Sequence, residues 1–434
     1  MNFENLLVCR NLLTDEIFSP STEKFSAAAK LIERAENLGL SGNLWRSYLI
    51  YVLAHEPNLI SETVETTGGK IGESLYAAFI HDIEILFNIF NANTNSENLR
   101  EIDETEKAVQ HDLKIWEENL KIKNPAEYEK IFGGNLEILQ NYKPTVENKI
   151  ESLAEIEKTL ENLNDTASIA AALINYYKKF GYGDIAAFRA FRWDSENKRL
   201  VGIKHFEKIL LEDLIGYAYQ KELLTKNTIA FLENKPANNV LLVGARGTGK
   251  SSGVKALVNE YYTRGLRLVQ ITKPQLKNLP EIMDSLRKFA SKRFIIFLDD
   301  LSFEESESEY KYLKSSIEGG VESRPENVLL YATSNRRHLI RETWRDRVEG
   351  QEELYRDDSL NETISLSDRF GLIIHYYAPT QAEYLEIIRH MLKKKNITLD
   401  DETLRIEGLR WEMTHSGRNG RTAQQFVNFY LGQI

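Results

Sequence analysis

The sequence predicts an α/β protein: a mainly α-helical amino-terminal domain, then a three-layer parallel sheet core, then a small helical domain. Three observations predict this order. Across residues 25–180 the apolar residues recur every three or four positions, which is the helical period. From Thr380 onward only helical patterns occur. Between these regions, continuous runs of Val, Leu and Ile alternate with helical patterns, as in strands that helices cover on both faces. The runs are residues 240–243, 266–271, 294–298, 328–332 and 372–377.

The same patterns place the domain boundaries. Gly181 and Gly183 interrupt the helical pattern, and two apolar runs then flank the polar turn at residues 194–199. A chain of 434 residues is long enough for two or three domains that each bury a core. We therefore predict a helical domain, a linker or hairpin, an α/β core and a helical tail over residues 1–185, 186–209, 210–379 and 380–434.

Composition excludes several classes of protein. With 42% hydrophobic and 28% charged residues, the chain fits neither wholesale disorder nor a fibrous repeat. The 55 basic and 65 acidic side chains give a net charge of −10, which opposes a general affinity for nucleic acid and leaves only a local basic patch open. Nucleic acid is therefore an uncertain partner.

The chain lacks the patterns expected of a secreted or membrane protein. Its single cysteine, Cys9, cannot form an internal disulfide, and no Cys and His residues have the spacing of a zinc site. Glu4 and Arg10 interrupt the apolar amino terminus, unlike a signal peptide. No run approaches the ~18 apolar residues of a membrane span. These features predict a cytoplasmic protein without a membrane partner.

Residues 244–251 form a complete GxxxxGK[ST] phosphate loop between an apolar run and a predicted helix. Its glycines let backbone N–H groups converge on phosphate oxygens, and the helix amino end adds partial positive charge. Lys250 would neutralise the β- and γ-phosphate oxygens, and the Ser251 hydroxyl would ligate magnesium. The predicted nucleotide-binding residues here are Gly244, Ala245, Arg246, Gly247, Thr248, Gly249, Lys250, Ser251 and Ser252.

Two acids follow the apolar run that ends at Leu298. Hydrolysis of a bound triphosphate needs a carboxylate that holds the metal and another that positions water. Asp299 would hold magnesium through its hydration shell, and Asp300 would polarise the attacking water. The predicted metal site therefore combines Ser251 with Asp299.

With these motifs in place, residues 210–434 resemble the AAA+ ATPases. The resemblance implies that ATP and Mg²⁺ are the ligands and that Leu214, Ile215 and Gly216 line the adenine pocket. It also implies that Asn335, which follows the run 328–332, is the sensor 1 residue that orients water near the γ-phosphate.

The resemblance assigns roles to arginines as well. Arg369, in the run Ser-Asp-Arg-Phe-Gly before the last apolar run, is similar to the arginine finger. Arg336 and Arg337 stay open as alternatives, because the polar stretch 338–365 separates sensor 1 from Arg369 widely. An arginine that opens a helix of the lid resembles sensor 2; the first choice is Arg421 and the second is Arg418.

Three runs resemble, more narrowly, a bacterial AAA+ family called DUF815, a domain of unknown function. These runs are residues 246–252, 299–304 and 332–338. One feature departs from the usual AAA+ pattern: Asp300 stands where a glutamate is usual and is one methylene shorter. A misplacement of about 1 Å can lower a rate on the order of a hundredfold, so slow hydrolysis is expected.

We therefore predict a magnesium-dependent ATPase that remodels or loads an unidentified macromolecule. The helical amino-terminal domain would recognise that protein partner, and the chain would form a homo-oligomer. The alternatives are a nucleotide-gated binding module with little turnover and a nucleic-acid-dependent loader, which fold analogy alone suggests. The predicted catalytic residues are Lys250, Asp300, Asn335 and Arg369.

Overall fold

A computed structural model describes residues 3–19, 24–90, 137–146, 150–303, 309–318, 324–335 and 369–433. The chain divides into two compact units, Met1–Ala187 and Phe188–Ile434. Arg336, Arg337 and the polar stretch 338–365 lie outside the described residues. No described helix is long and apolar enough to cross a membrane.

The first unit is helical in its described part. Asn43 caps α2 by accepting a hydrogen bond from the Arg46 N–H, and the helix ends at His55, two residues before Pro57. Leu53, Leu173 and other fully buried apolar side chains fill the core. The helices are α1 (Lys24–Leu38), α2 (Leu44–His55), α3 (Leu59–Thr66), α4 (Glu73–Phe90), α5 (Glu137–Gln140), α6 (Glu151–Leu160), α7 (Thr166–Phe180) and α8 (Gly183–Ala187).

A buried carboxylate on α4 holds the start of the chain. The side chain of Asp82 is fully buried and accepts hydrogen bonds of 2.8 Å from the backbone N–H groups of Leu7, Val8 and Cys9. These charge-assisted bonds compensate the carboxylate for its lost hydration. Burial, reinforced by the negative charge of Asp82, raises the pKa of the Cys9 thiol well above its usual value.

The second unit is built on one seven-stranded sheet with the order β2-β1-β4-β5-β6-β3-β7. The strands β1 and β2 pair antiparallel, and every other pair of neighbours is parallel. The five strands expected from the apolar runs are confirmed as β3 to β7. The bounds are β1 (Ala190–Asp194), β2 (Arg199–Gly202), β3 (Val240–Gly244), β4 (Leu266–Ile271), β5 (Arg293–Leu298), β6 (Val328–Ser334) and β7 (Leu372–Tyr376).

The segment expected to be a linker or hairpin forms β1 and β2, and β1 pairs with β4, so these strands extend the sheet. The finer division of the second unit at residues 209 and 379 stays a prediction. All residues of β6 are buried, as expected for a strand with both faces covered. The helices beside the sheet are α9 (Ala218–Leu232), α10 (Lys250–Tyr261), α11 (Leu279–Arg287) and α12 (Glu309–Glu318).

Three helices follow the sheet and share a separate core. They are α13 (Gln381–Lys394), α14 (Asp401–Thr414) and α15 (Gly420–Leu431). Tyr384, Ile388 and Leu404 are buried in this core together with residues of α15. This helical group, called the lid below, matches the predicted helical end of the chain.

Candidate nucleotide site

The phosphate loop joins β3 to α10 through a backbone that only glycine adopts easily. Gly244, Gly247 and Gly249 have φ angles of 145°, 72° and 82°. A Cβ at Gly244 would lie 1.8 Å from the carbonyl oxygen of Tyr376 in the adjacent strand β7. The Thr248 hydroxyl donates to the Ala245 carbonyl at 2.9 Å and closes the loop. The amino end of α10, whose first N–H groups have no partner within the helix, therefore opens directly onto the loop.

Lys250 lies inside this loop and is only 6% exposed. Its Nζ donates to the carbonyl oxygens of Gly244 and Ala245, at 2.8 and 2.7 Å, and to Asn335 Oδ1 at 3.2 Å. Burial lowers the pKa of Lys250, and the negative charges of Asp300 and Asp299 oppose that shift. The protein thus holds a partly dehydrated cation where the phosphate loop would receive an anion.

Ser251 and Asp299 are in direct contact. The Ser251 hydroxyl donates to Asp299 Oδ1 at 2.5 Å, and Thr333 Oγ1 donates to the same oxygen at 2.7 Å. A hydroxyl has one proton and two lone pairs, so the Ser251 oxygen keeps lone pairs for a cation after it donates its proton. These oxygen atoms fit Mg²⁺, which prefers oxygen ligands and is usually held by a few side chains together with the phosphates of a substrate. Among the described residues, no cluster of three or more His, Cys, Asp or Glu side chains could bind a metal ion.

Asp300 lies beside Asn335, the residue that the resemblance gives as sensor 1. Asn335 Nδ2 donates to Asp300 Oδ1 at 2.5 Å, while the Asn335 oxygen accepts from Lys250. The backbone of Asp300 has a φ of 54°, and its N–H donates to Thr333 Oγ1 at 2.9 Å. The two acids and the lysine are therefore linked through Thr333 in β6 and Asn335 directly after it.

Sequence reasoning missed Thr333. Its hydroxyl contacts both acids, yet it directly follows the apolar run 328–332 and was given no role. The signal that could have found it is its spacing from Asn335, because alternate residues of a strand lie on the same face.

The segment predicted to line the adenine pocket runs between the phosphate loop and the lid core. A Cβ at Gly249 would lie 3.7 Å from Leu214 Cδ2, so the Leu214 side chain lies beside the loop. Ile215 packs against the lid core, and Gly216 turns the chain with a φ of 80°. Lys221 Nζ donates to the Leu214 carbonyl at 2.7 Å and fixes the segment to α9.

The lid contacts the phosphate loop directly. The Gly420 N–H donates to the Gly247 carbonyl oxygen at 2.7 Å. Asn419 is 9% exposed and caps α15 by accepting a hydrogen bond from the Thr422 N–H at 2.9 Å. A Cβ at Gly247 would lie 2.5 Å from Asn419 Oδ1. Gly247 therefore has to be glycine for a second reason, besides its positive φ.

The other residues that the sequence predicts for the site lie on the phosphate loop, in the first turn of α10 or in the lid. Ala245 and Arg246 are exposed on the loop, and Ser252 is half-buried in the first turn of α10. Arg421 is exposed and directly follows Gly420, the residue bonded to the loop. Arg418 is held by Glu412 through a contact of 2.9 Å.

Arg369 lies near the amino ends of β7 and β3, whereas the phosphate loop of its own chain follows the carboxyl end of β3. It precedes β7, in which Leu372 pairs with Val240 at the amino end of β3. The loop follows Gly244 at the carboxyl end of β3, where Tyr376 of β7 is the partner. At about 3.3 Å per residue, β7 alone separates the two ends by about 13 Å.

A phosphate loop on an inner strand of a parallel sheet, an acid pair after a nearby strand and a helical lid against the loop together define an AAA+ P-loop fold. The chain belongs to the DUF815 family, which is described as a protein of unknown function and which matches residues 186–434. No curated protein matches the chain.

Two solved structures are similar to part of the chain. The chain is similar to RuvB of Thermotoga maritima, a Holliday junction branch migration motor, at 18% identity and a TM-score of 0.35, over 50% of this chain and 63% of that one. It is also similar to PCH-2 of C. elegans at 15% identity and a TM-score of 0.35, over 52% of this chain and 65% of that one. Both matches span less than two thirds of the other chain, and no activity of either protein follows for this one.

Proposed function

We propose that the chain is a magnesium-dependent AAA+ ATPase that uses ATP to remodel or load a macromolecular partner. The observation that carries this proposal is the convergence of Lys250, Ser251, Asp299, Asp300 and Asn335 at the carboxyl ends of β3, β5 and β6. A cation for the phosphates, a hydroxyl and carboxylate for the metal and an acid for the water are the groups that phosphoryl transfer requires.

The residues around Ser251 would hold the metal. Magnesium bound there would neutralise negative charge on the transferred phosphoryl group. Ser251 would supply a lone pair, and Asp299 would hold water in the metal's shell while accepting a hydrogen bond from the Ser251 hydroxyl. The existing bond between Ser251 and Asp299 supports this arrangement, because it already aims the serine proton away from the loop.

Asp300 would accept a proton from the attacking water, and Asn335 would hold that water toward the phosphate. Their present contact places the two side chains within reach of one water molecule. An aspartate is one methylene shorter than a glutamate, so we expect slow turnover.

A second candidate function is a nucleotide-gated binding module with little turnover. The observation that favours it is the same contact, since Asn335 occupies Asp300 Oδ1 at 2.5 Å. If this bond persists with ATP bound, it fills one acceptor position of the carboxylate and weakens Asp300 as a base, and ATP then acts mainly by ordering the lid. A rate of phosphate release by the wild type equal to that of Asp300→Asn would support the module and contradict the ATPase.

Arg369 would serve the site of a neighbouring subunit, so the proposed active form is a homo-oligomer. Its place at the amino end of β7, away from its own phosphate loop, supports a role in trans. Arg421 would reach the γ-phosphate from the lid, and its position next to Gly420 favours it over Arg418, which Glu412 holds.

The helical first unit would recognise the protein partner, because the residues that form the site all lie in Phe188–Ile434. An Asp300→Asn variant loaded with ATP should stall in the ATP state and retain its client. Capture that depends on both ATP and the first unit supports this role. Equal capture by the second unit alone contradicts it.

Nucleotide binding is the first test. Lys250→Ala leaves two carbonyl oxygens without their donor and removes the phosphate-binding cation, so we expect ATP affinity to fall by about 10- to 100-fold. Lys255→Ala is the matched control: Lys255 is on the same helix and pairs with Glu207 at 2.9 Å, away from the loop. Calorimetry that shows equal ATP affinity for all three proteins would overturn the assignment of the loop.

The two acids separate binding from chemistry. Asp299→Asn should weaken the magnesium dependence of ATP binding, because a neutral amide holds the metal's water less well. Asp300→Asn should bind ATP nearly normally and release phosphate about 100-fold more slowly or worse. Equal loss of binding in both variants would contradict these separate roles.

A further inference from the structure

Thr333 connects the two acids of the site. It lies in β6 and is 2% exposed. Its hydroxyl donates to Asp299 Oδ1 at 2.7 Å and accepts the Asp300 N–H at 2.9 Å. Its carbonyl oxygen accepts the Leu301 N–H at 2.7 Å. One residue of the strand therefore fixes three consecutive residues after β5.

Only a hydroxyl can make both side-chain contacts. A hydroxyl donates once and accepts through lone pairs, so one oxygen can face a carboxylate and a backbone N–H together. Asp300 also has a φ of 54°, a conformation that residues with a side chain seldom adopt without support from their surroundings. The bond from the Asp300 N–H to Thr333 supplies such support.

We propose that Thr333 is a positioning residue that sets the Asp299 carboxylate for magnesium and the Asp300 backbone for the attacking water. This role rests on the proposed function. Thr333 acts through the two acids and does not touch the nucleotide. Residues that orient metal-binding groups in this way typically change metal affinity or activity by about 10- to 100-fold when they are altered.

The chain offers a matched control for burial of a threonine. Thr228 of α9 is also fully buried, and its hydroxyl contacts the Tyr331 hydroxyl at 2.9 Å and the Leu224 carbonyl at 2.8 Å. Tyr331 lies in the same strand as Thr333, two residues earlier. Thr228→Val therefore removes a buried hydroxyl next to β6 without touching either acid.

The experiment measures the magnesium concentration that half-saturates binding of a fluorescent ATP analogue to the full chain. For Thr333→Val we expect this concentration to rise by about 10- to 100-fold. We also expect kcat for phosphate release to fall by a larger factor than KM changes. Thr333→Ser keeps the hydroxyl and should remain within about twofold of the wild type, as should Thr228→Val.

Each other outcome overturns the proposal or its foundation. Wild-type magnesium dependence in Thr333→Val, or an equal shift in Thr228→Val, would show that the hydroxyl does not position the acids. If circular dichroism shows Thr333→Val to be unfolded, Thr333→Ala is measured in its place, and the same two results decide. Absence of magnesium-dependent nucleotide binding by the wild type would overturn the proposed function itself, and the role of Thr333 with it.

Discussion

The backbone N–H of Gly420 donates a hydrogen bond of 2.7 Å to the carbonyl oxygen of Gly247. The first residue of a lid helix is thus bonded to the middle of the phosphate loop, and Asn419 fills the space where a Cβ at Gly247 would lie. Because the same short backbone segment would receive phosphate, docking of the lid and binding of a nucleotide are expected to affect each other.

Gly247→Ala should weaken both the fold and ATP binding. The new Cβ would lie 2.5 Å from Asn419 Oδ1, and a φ of 72° is strained for alanine. We expect the free energy of unfolding to fall by more than about 1 kcal/mol, measured by chemical denaturation, with weaker ATP binding by calorimetry. Gly253→Ala is the control, because a Cβ there meets no atom closer than 3.7 Å.

The clash can be tested directly in a double variant. Asn419→Ala removes the two nearest atoms that Gly247→Ala would strike, Oδ1 and Cγ, at the cost of the cap on α15. We expect the double variant to lose less stability than the sum of the two single losses. Agreement of the double variant with that sum to within about 0.5 kcal/mol would show that the two residues do not interact.

Arg369→Ala should bind ATP nearly normally and hydrolyse it poorly. An arginine supplied to the γ-phosphate in trans is worth about 10³ to 10⁵ in kcat, so specific activity should also rise steeply with protein concentration. Mixing Arg369→Ala with Asp300→Asn should restore part of the activity, because some interfaces then join an intact arginine to an intact site. Both effects are measured by steady-state phosphate release.

The control for this substitution is Arg410→Ala, since Arg410 is 70% exposed and pairs only with the neighbouring Glu407 among the described residues. The same assay on Arg336→Ala and Arg337→Ala tests the two alternative fingers. Constant activity per subunit on dilution, in a protein that ultracentrifugation shows to be a monomer, would exclude a shared site.

A fragment of residues 188–434 should fold and bind ATP with the affinity of the full chain. This fragment is one of the two compact units and contains all the residues of the site. A fragment that begins at residue 204 should be less stable, because it lacks β1, which pairs with β4 through Ala190 to Arg192. Loss of ATP binding in the longer, folded fragment would contradict the independence of the site.

Asp82→Asn should loosen the packing of residues 7–9 and make the Cys9 thiol more accessible. An amide cannot accept hydrogen bonds through its nitrogen, so the N–H groups of Val8 and Cys9 would face another donor inside the core. We expect alkylation of Cys9 by iodoacetamide at pH 8 to accelerate about tenfold or more. Glu84→Gln, an exposed change on the same helix, is the control.

The pH dependence of the first unit follows from the same residues. The pKa of the Cys9 thiol is raised in the folded state, so the folded state favours the neutral thiol. The contribution of this group to the free energy of unfolding is fully present at pH values below the ordinary pKa of a thiol. That contribution is lost as the pH rises through about 8.5 and above. Cys9→Ala should therefore reduce the loss of stability between pH 8 and 10; an unchanged slope would mean that other groups cause it.

Local patterns in the sequence predicted much of the second unit. Continuous apolar runs predicted the strands β3 to β7, because a parallel sheet buries both faces of each strand. The phosphate loop and the acids after Leu298 were predictable because their spacing is set within one short segment. The pairing of β1 with β4 was not, since it joins segments about 80 residues apart and no local pattern encodes it.

Contacts made by backbone groups could not be predicted from the sequence for the same reason. Gly420 reaches Gly247 with an N–H group that every residue but proline carries, so its identity gives no warning of the bond. The contact between Arg418 and Glu412, on the preceding helix, is likewise not encoded by a local pattern, although Arg421 was already the first choice and Arg418 the second. Thr333 was hidden because a hydroxyl within a buried strand usually satisfies only a neighbouring backbone group.

The hairpin of β1 and β2 also determines what the sheet presents to other chains. Without it, the six-residue strand β4 would show an open row of N–H and C=O groups along a buried, apolar strand, a template for pairing with another molecule. With it, the sheet ends in the four-residue strand β2, where Arg199 is exposed and lies near Asp194. A short strand with an exposed charge is a poorer template for pairing with another strand than the buried, apolar β4 would be.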